Sequence, residues 1–337
     1  MTFGETTMTS THTCPVPRNE EQRILAVRSY DILDSDPELE FDALARVASH
    51  TFSMPIAVVA MMDTNRLWFK SKIGLDVPEL DRKIAFCAHT INTPDEPLIV
   101  NDLTNDTRFA ENPLVSNAPH LRFYAGAPLV DSDGMALGTI AVIDAEPRPF
   151  TRSQLHTLGD FATLVMTALE GRKRAIELKR LATTDYLTGI ANRAQFDMVS
   201  ATEMHNYIRT GMPYSVICMD LNGFKSVNDN FGHQAGDQVL REVARRLSRQ
   251  LRSGDLVARL GGDEFAVVAR NCDYQIAVRV ATRFSQVIEQ PIQLASGHLV
   301  QVGISCGVCT SSNSLNSSEV LLHKADEALY QSKGTAT

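Results

Sequence analysis

Apolar positions along this chain recur with two different periods, and the changes between them mark out the elements. In residues 19–33, Ile24, Leu25, Val27, Tyr30, Ile32 and Leu33 follow Asn19, Glu20 and Glu21 with the spacing of a short amphipathic helix, and 38–51 reads as a second helix. Strand-like runs then alternate with turn residues at 55–63, 68–73, 97–101, 124–130 and 136–144. Asp131-Ser-Asp-Gly134 suits a hairpin connection between the last two runs. The pattern predicts a polar tail over 1–18 and an α+β domain with a mainly antiparallel sheet over 19–170.

Residues 151–183 contain no proline and predict one long helix. Leu158, Ala162, Val165, Leu169 and Ile176 follow four-, three- and seven-residue steps, the spacing of a short coiled-coil seam, with Arg172 interrupting it. This stretch reads as a dimerising connector. A second α/β domain follows over 180–337. It is expected to hold helices at 193–210, 236–251, 275–289 and 318–332 and strands at 215–219, 256–260, 265–269 and 300–309.

Composition narrows the classes of function. A length of 337 residues fits two domains at roughly 100–200 residues each. With 44% apolar and 21% charged residues the chain can bury real cores. Its formal charge of −8 argues against bulk binding to a nucleic acid polymer or an anionic membrane. No apolar run approaches a membrane span, and the first 17 residues lack the apolar core of a signal peptide, so a cytoplasmic protein is expected. The six cysteines form no disulfide framework. Cys306 and Cys309 lie three apart in a strand-like run, which points them to opposite faces.

The chemistry concentrates in the second half. Asp220 closes the buried run 215–219, where a chain leaving a sheet commonly presents a ligand-facing group. Gly261-Gly262 permits a tight turn that delivers Asp263 and Glu264. Carboxylates on adjacent strand ends suit Mg²⁺, which takes oxygen ligands and shares its octahedron with substrate phosphates.

Three segments carry a resemblance. Asp185-Tyr-Leu-Thr-Gly-Ile-Ala-Asn192-Arg193 comes first. Asp220-Leu-Asn-Gly-Phe-Lys225 then runs on through Asn228, Gly232-His233 and Gly236-Asp237, and Arg259-Leu-Gly-Gly-Asp263-Glu264-Phe265 comes last. Residues 180–334 thereby resemble the GGDEF family of diguanylate cyclases. The resemblance implies a palm-like, nucleotidyl-cyclase-like α/β fold. Two such domains, each holding one GTP, would face each other and build cyclic di-GMP with release of two pyrophosphates. It further implies that Asp220, the Leu221 carbonyl and Asp263 hold Mg²⁺ or Mn²⁺. Asp263 would accept the proton, Glu264 would complete the acidic turn and Lys225 would stabilise charge on the phosphates. Asn228 and Asp237 would read guanine beside His233, while Lys333 and the backbone around Gly223 and Phe224 would hold phosphate oxygens. An amide and a carboxylate match guanine's edge, and adenine would leave them unpaired.

The chain departs from the family's pattern at two places. Asn222 stands where many relatives carry Asp, and Thr337 where relatives often place an arginine that grips phosphate, which is expected to raise KM. Arg252-Ser-Gly-Asp255 ends five residues before Gly261, the family's spacing for a product-inhibition site, and Arg283 is the candidate second arginine. Upstream, Trp68-Phe-Lys-Ser-Lys-Ile-Gly74, Phe86-Cys-Ala-His89, the 101–113 segment and Leu137-Gly-Thr-Ile-Ala-Val-Ile-Asp144 resemble a GAF sensor domain, whose ligand the sequence does not identify. Cys87 reads as a buried thiol beside a structural histidine, His89, while Trp68, Phe123 and Tyr124 suit either a pocket or the core. The expected function is a homodimeric, GAF-controlled diguanylate cyclase acting on GTP. The alternative is a catalytically silent receptor for cyclic di-GMP or GTP.

Overall fold

The computed structural model describes residues 14–315 and 317–334, so most of the expected tail and the Thr337 departure lie outside the described residues. The chain forms two compact units, Met1–Ala175 and Ile176–Thr337.

The first unit opens with α1 (Glu20–Ser29) and α2 (Leu39–Phe52) and continues through β1 (Ile56–Met62), β2 (Arg66–Ile73) and β3 (Glu79–Asp81). Short helices α3 (Cys87–Thr90) and α4 (Pro113–Ser116) flank β4 (Leu98–Val100). The hairpin of β5 (Phe123–Val130) and β6 (Ala136–Asp144) leads into α5 (Arg152–Thr183). The strands form one antiparallel sheet in the order β3-β2-β1-β6-β5-β4. All of β1 and β6 is buried, because both faces of the sheet are covered. Ala57, Val59 and Met61 face a core with Phe41 and Phe52 of α2, whereas Ile56, Val58 and Ala60 face Phe86, Phe109 and Tyr124.

This packing corrects the reading of α5. Leu158, Ala162, Val165 and Leu169 are all buried in the core on the α2 side, and of the five seam positions only Ile176 is exposed. A helix laid on a sheet needs the same apolar stripe as a helix paired with a helix. Arg172, the apparent interruption, donates through Nε to Glu38 (2.7 Å) and through Nη1 to the carbonyls of Tyr30 and Asp31.

The second unit contains α6 (Arg193–Thr210), β7 (Ser215–Asn222), α7 (Phe224–Phe231) and α8 (His233–Gln250). After these come β8 (Leu256–Gly261), β9 (Glu264–Ala269), α9 (Tyr274–Ile288), the two-residue strands β10 (Ile292–Gln293) and β11 (Leu299–Val300), β12 (Gly303–Thr310) and α10 (Ser318–Gly334). Its four-stranded antiparallel sheet runs β12-β7-β9-β8. Val239, Val243 and Leu247 of α8 and Phe284 of α9 pack on one face; Phe196 of α6 and Leu321, Ala325 and Leu329 of α10 pack on the other. Helix α10 crosses β12 so closely that a Cβ on Gly307 would lie 2.2 Å from the Ala325 carbonyl oxygen. The strand expected at 300–309 is broken between β11 and β12. Cys306 and Cys309 do pack against opposite cores.

Helix α7 was not legible in the sequence. Its residues Ser226, Asn228, Asp229 and Asn230 are weak helix formers. The turn is started by Gly223, whose φ of 81° needs glycine's freedom, and is held by burial of Val227.

Candidate active site

Strand β7 is buried through Met219, then delivers Asp220 with its side chain 18% exposed. Asp220 lies directly opposite Glu264 on β9 and Ser305 on β12, so these three side chains share a sheet face. Asp263, half-buried, sits one position earlier in the turn, where its carbonyl accepts from the Leu221 N–H at 3.3 Å. Glu264 is exposed.

The turn between β8 and β9 is braced from outside the acidic pair. Gly262 has φ 49°, and Arg259 donates to its carbonyl through Nε (2.9 Å) and Nη2 (2.7 Å). Arg259 Nη1 reaches the Asp185 carboxylate at 3.2 Å. Asp185 also accepts from the Thr188 N–H (2.9 Å) and hydroxyl (2.6 Å). Burial raises the Asp185 pKa, but the bonds from Thr188 and Arg259 outweigh it and leave it below the usual carboxylate range. A backbone bond from Arg259 N–H to the Ala191 carbonyl (2.9 Å) completes the brace. The first and third motifs are thus one structural device. In the sequence Asp185 and Arg259 stand out only as motif ends, and their opposite charges there are the one signal of the pairing.

After β7, α7 and α8 are joined by Gly232 alone (φ 81°). Asn228 lies against α8: a Cβ on Gly236 would fall 1.9 Å from Asn228 Oδ1 and 3.2 Å from Phe224 Cζ. The next residue is Asp237, half-buried, so of the expected guanine readers Asn228 lies against the residue that precedes Asp237 on α8. Gly223 and Lys225 at the start of α7 and His233 at the start of α8 are exposed, and Phe224 is half-buried.

Lys333, near the end of α10, places Nζ 2.7 Å from Asp220 Oδ1. The carboxylate therefore already draws a cation. Among the described residues no group of three or more His, Cys, Asp or Glu is arranged to hold a metal. The expected ligands, Asp220, Asp263 and the Leu221 carbonyl, are two carboxylates and a carbonyl at the ends of adjoining strands. That donor set fits Mg²⁺, which binds through one or two carboxylates and completes its shell with water and phosphate oxygens.

The expected inhibitory residues also converge. Arg283 of α9 donates to the Gln250 carbonyl at 2.6 Å, two residues before Arg252. Asp255 forms no ion pair with Arg252. Its carboxylate accepts from the backbone N–H of Arg252 (3.4 Å) and of Arg270 (3.0 Å), and both arginine heads are exposed.

In the first unit, Phe69, Phe86, Cys87, Leu114 and Tyr124 line an apolar cavity of only about 20 Å³. Burial raises the Cys87 thiol pKa, and Tyr124 donates to its sulfur at 3.4 Å. His89 is half-buried with its ring against Phe109, and burial together with Arg108 lowers its pKa. Trp68 and Phe123 belong to the core on the opposite sheet face, so of the three aromatics only Tyr124 reaches the cavity. Among the described residues, no helix is long and apolar enough to cross a membrane.

Comparison with known proteins agrees with both halves. Residues 182–337 match the family described as diguanylate cyclase, GGDEF domain, and residues 36–169 match the GAF domain. A protein of Pseudomonas aeruginosa named as a cyclic di-GMP phosphodiesterase is 29% identical over 303 residues, 88% of this chain and 49% of its own length. Diguanylate cyclase TpbB of the same species is 34% identical over 193 residues, 55% of this chain and 44% of its own. The chain spans about half or less of the length of these relatives. Among solved structures, the coiled coil and GGDEF domain of DgcB from Caulobacter crescentus, in complex with c-di-GMP, is 27% identical with a TM-score of 0.50. That match covers 52% of this chain and 94% of the other.

Proposed function

The chain carries a GAF domain at 36–169 and a GGDEF domain at 182–337, and from that membership we propose that it is a diguanylate cyclase that condenses two GTP into cyclic di-GMP. The observation that carries the reading is one placement. Asp220 and the Asp263–Glu264 turn end adjoining strands, and α7, whose Asn228 lies against α8 at Gly236, begins two residues after β7 ends. In this reading Asn228 and Asp237 select guanine, because their acceptor and donor atoms would go unpaired against adenine. Lys225, Lys333 and the N–H groups at Gly223 and Phe224 hold the polyphosphate by charge and hydrogen bonding. Asp263 takes the proton from the 3′-hydroxyl as it attacks the α-phosphorus of the facing nucleotide, and pyrophosphate leaves. A divalent cation held by Asp220, Asp263 and the Leu221 carbonyl would supply charge neutralisation at the phosphates and a lowered hydroxyl pKa. Arg259 and Asp185 do not touch substrate in this scheme; they position the turn.

Each domain supplies half of the product, so activity requires two chains. Ile176, Leu178 and Leu181 are exposed on the last turns of α5 and are the apolar positions we assign to pairing with a second copy. The GAF domain would act through α5, and cyclic di-GMP held by Arg252 and Arg283 would inhibit. The relative named as a phosphodiesterase is matched over less than half its length, and its activity is not carried over.

The test is product analysis by mass after incubation with GTP and Mg²⁺. Cyclic di-GMP with two pyrophosphates per product is expected from the wild type and none from Asp263→Ala. GTP binding without product in a dimer would replace this reading with that of a receptor.

A further inference from the structure

Lys333 was expected on the triphosphate, yet its ammonium lies 2.7 Å from Asp220 Oδ1. We propose that Lys333 is a positioning residue that makes cation binding at Asp220 conditional on nucleotide. By occupying one oxygen of the Asp220 carboxylate and opposing the charge of an incoming cation, it keeps cation binding weak until a polyphosphate draws the ammonium away. This rests on the cyclase reading above and deepens it.

The Asp220 side chain is mostly shielded, at 18% exposure, whereas the lysine side chain is 41% exposed on a flexible four-carbon stem. The lysine is therefore the partner free to move. A divalent ion would approach that carboxylate to about 2.1 Å, and an ammonium seated on Oδ1 occupies one of its oxygens and sets a like charge close to the incoming ion. While Lys333 is seated, its charge offsets one of the two carboxylates, Asp220 and Asp263, that would attract a divalent ion. A polyphosphate offers the ammonium several oxygens and more negative charge, so a single shift of Lys333 satisfies the phosphate and releases Asp220. Cation and nucleotide then strengthen each other's binding, and linkage makes the effect equal in both directions.

The experiment measures Mn²⁺ binding to the full chain by electron paramagnetic resonance, alone and with a GTP analogue that cannot lose pyrophosphate. In the wild type, the analogue should tighten Mn²⁺ roughly tenfold or more. In Lys333→Met and Lys333→Gln, Mn²⁺ alone should bind roughly threefold or more tighter than in wild type, and the gain from the analogue should shrink. Lys333→Arg, which keeps the cation, should retain most of the coupling. Unchanged or weaker nucleotide-free Mn²⁺ binding in both neutral variants would overturn the proposal while leaving the cyclase reading intact. So would tight Mn²⁺ binding that survives Asp220→Asn. A wild type whose Mn²⁺ affinity is indifferent to the analogue would contradict the cyclase reading itself, and this proposal with it.

Discussion

A methyl group on Gly236 would meet Asn228 Oδ1 at 1.9 Å, and the atom it meets is the free end of a side chain rather than backbone. Gly236→Ala should therefore fold, with helix propensity adding up to about 1 kcal/mol to α8. It should nevertheless displace the amide proposed to read guanine. The expected outcome is an unchanged or higher Tm together with a several-fold rise in KM for GTP; an unchanged KM would remove Asn228 from the nucleotide site. A second residue-scale test concerns Glu20, which pairs with Arg23 and Arg82 in the first unit. Burial raises its pKa, but hydrogen bonds from the two arginines outweigh that and lower it from 4.5 to about 2. A depressed carboxylate contributes stability that is fully present above the unfolded pKa and is lost as pH falls through the folded one. Glu20→Gln should thus lower the urea midpoint at pH 7, and the gap to wild type should narrow as pH falls from about 4.5 towards 2. A gap that stays constant with pH would show that the carboxylate's charge is not what matters.

At the scale of elements, α5 is tied to its own domain by a shared carboxylate. Glu38 accepts from Arg172 of α5 and from Lys70 of β2, each at 2.7 Å, and the Lys70 side chain is fully buried. Lys70 also donates to Ser35 Oγ and the Asp36 carbonyl. Glu38→Ala leaves that buried ammonium without its counter-charge and should cost about 1–3 kcal/mol. If the GAF domain acts through α5, the same change should alter turnover as well as Tm, measured on one preparation. A loss of stability with turnover unchanged would limit the contact to a structural role. This clamp also shows what the sequence concealed. The stripe Leu158–Leu169 was legible as apolar, but spacing cannot say whether the covering surface is a sheet or a second helix. Helix α7 was hidden for a different reason, since its poor helix formers are held by the Gly223 turn and by the burial of Val227.

At the scale of the whole molecule, the legible part was the order of elements, because buried strands such as β1 and amphipathic helices such as α8 imprint their periods on the chain. The acidic turn and the Asn228–Asp237 segment were legible as motifs; the fold sets Asp220 opposite Glu264 and Asn228 against Gly236. Interactions between distant charges were not. Nothing in spacing joins Lys333 to Asp220, or Arg259 to Asp185, since those contacts arise only when α10 and the 185–191 segment fold onto the strand ends. The central claim is that two chains, each holding one GTP, are needed for one product. Mixing tests it most directly: wild type and Asp263→Ala are co-expressed in equal amounts, and cyclic di-GMP formation is measured at fixed total protein. If activity belongs to wild-type pairs, the rate should fall to about a quarter of the all-wild-type value, the fraction of such pairs in a random mixture. A rate of about half, in simple proportion to the wild-type chains present, would mean that each chain works alone and would contradict the account.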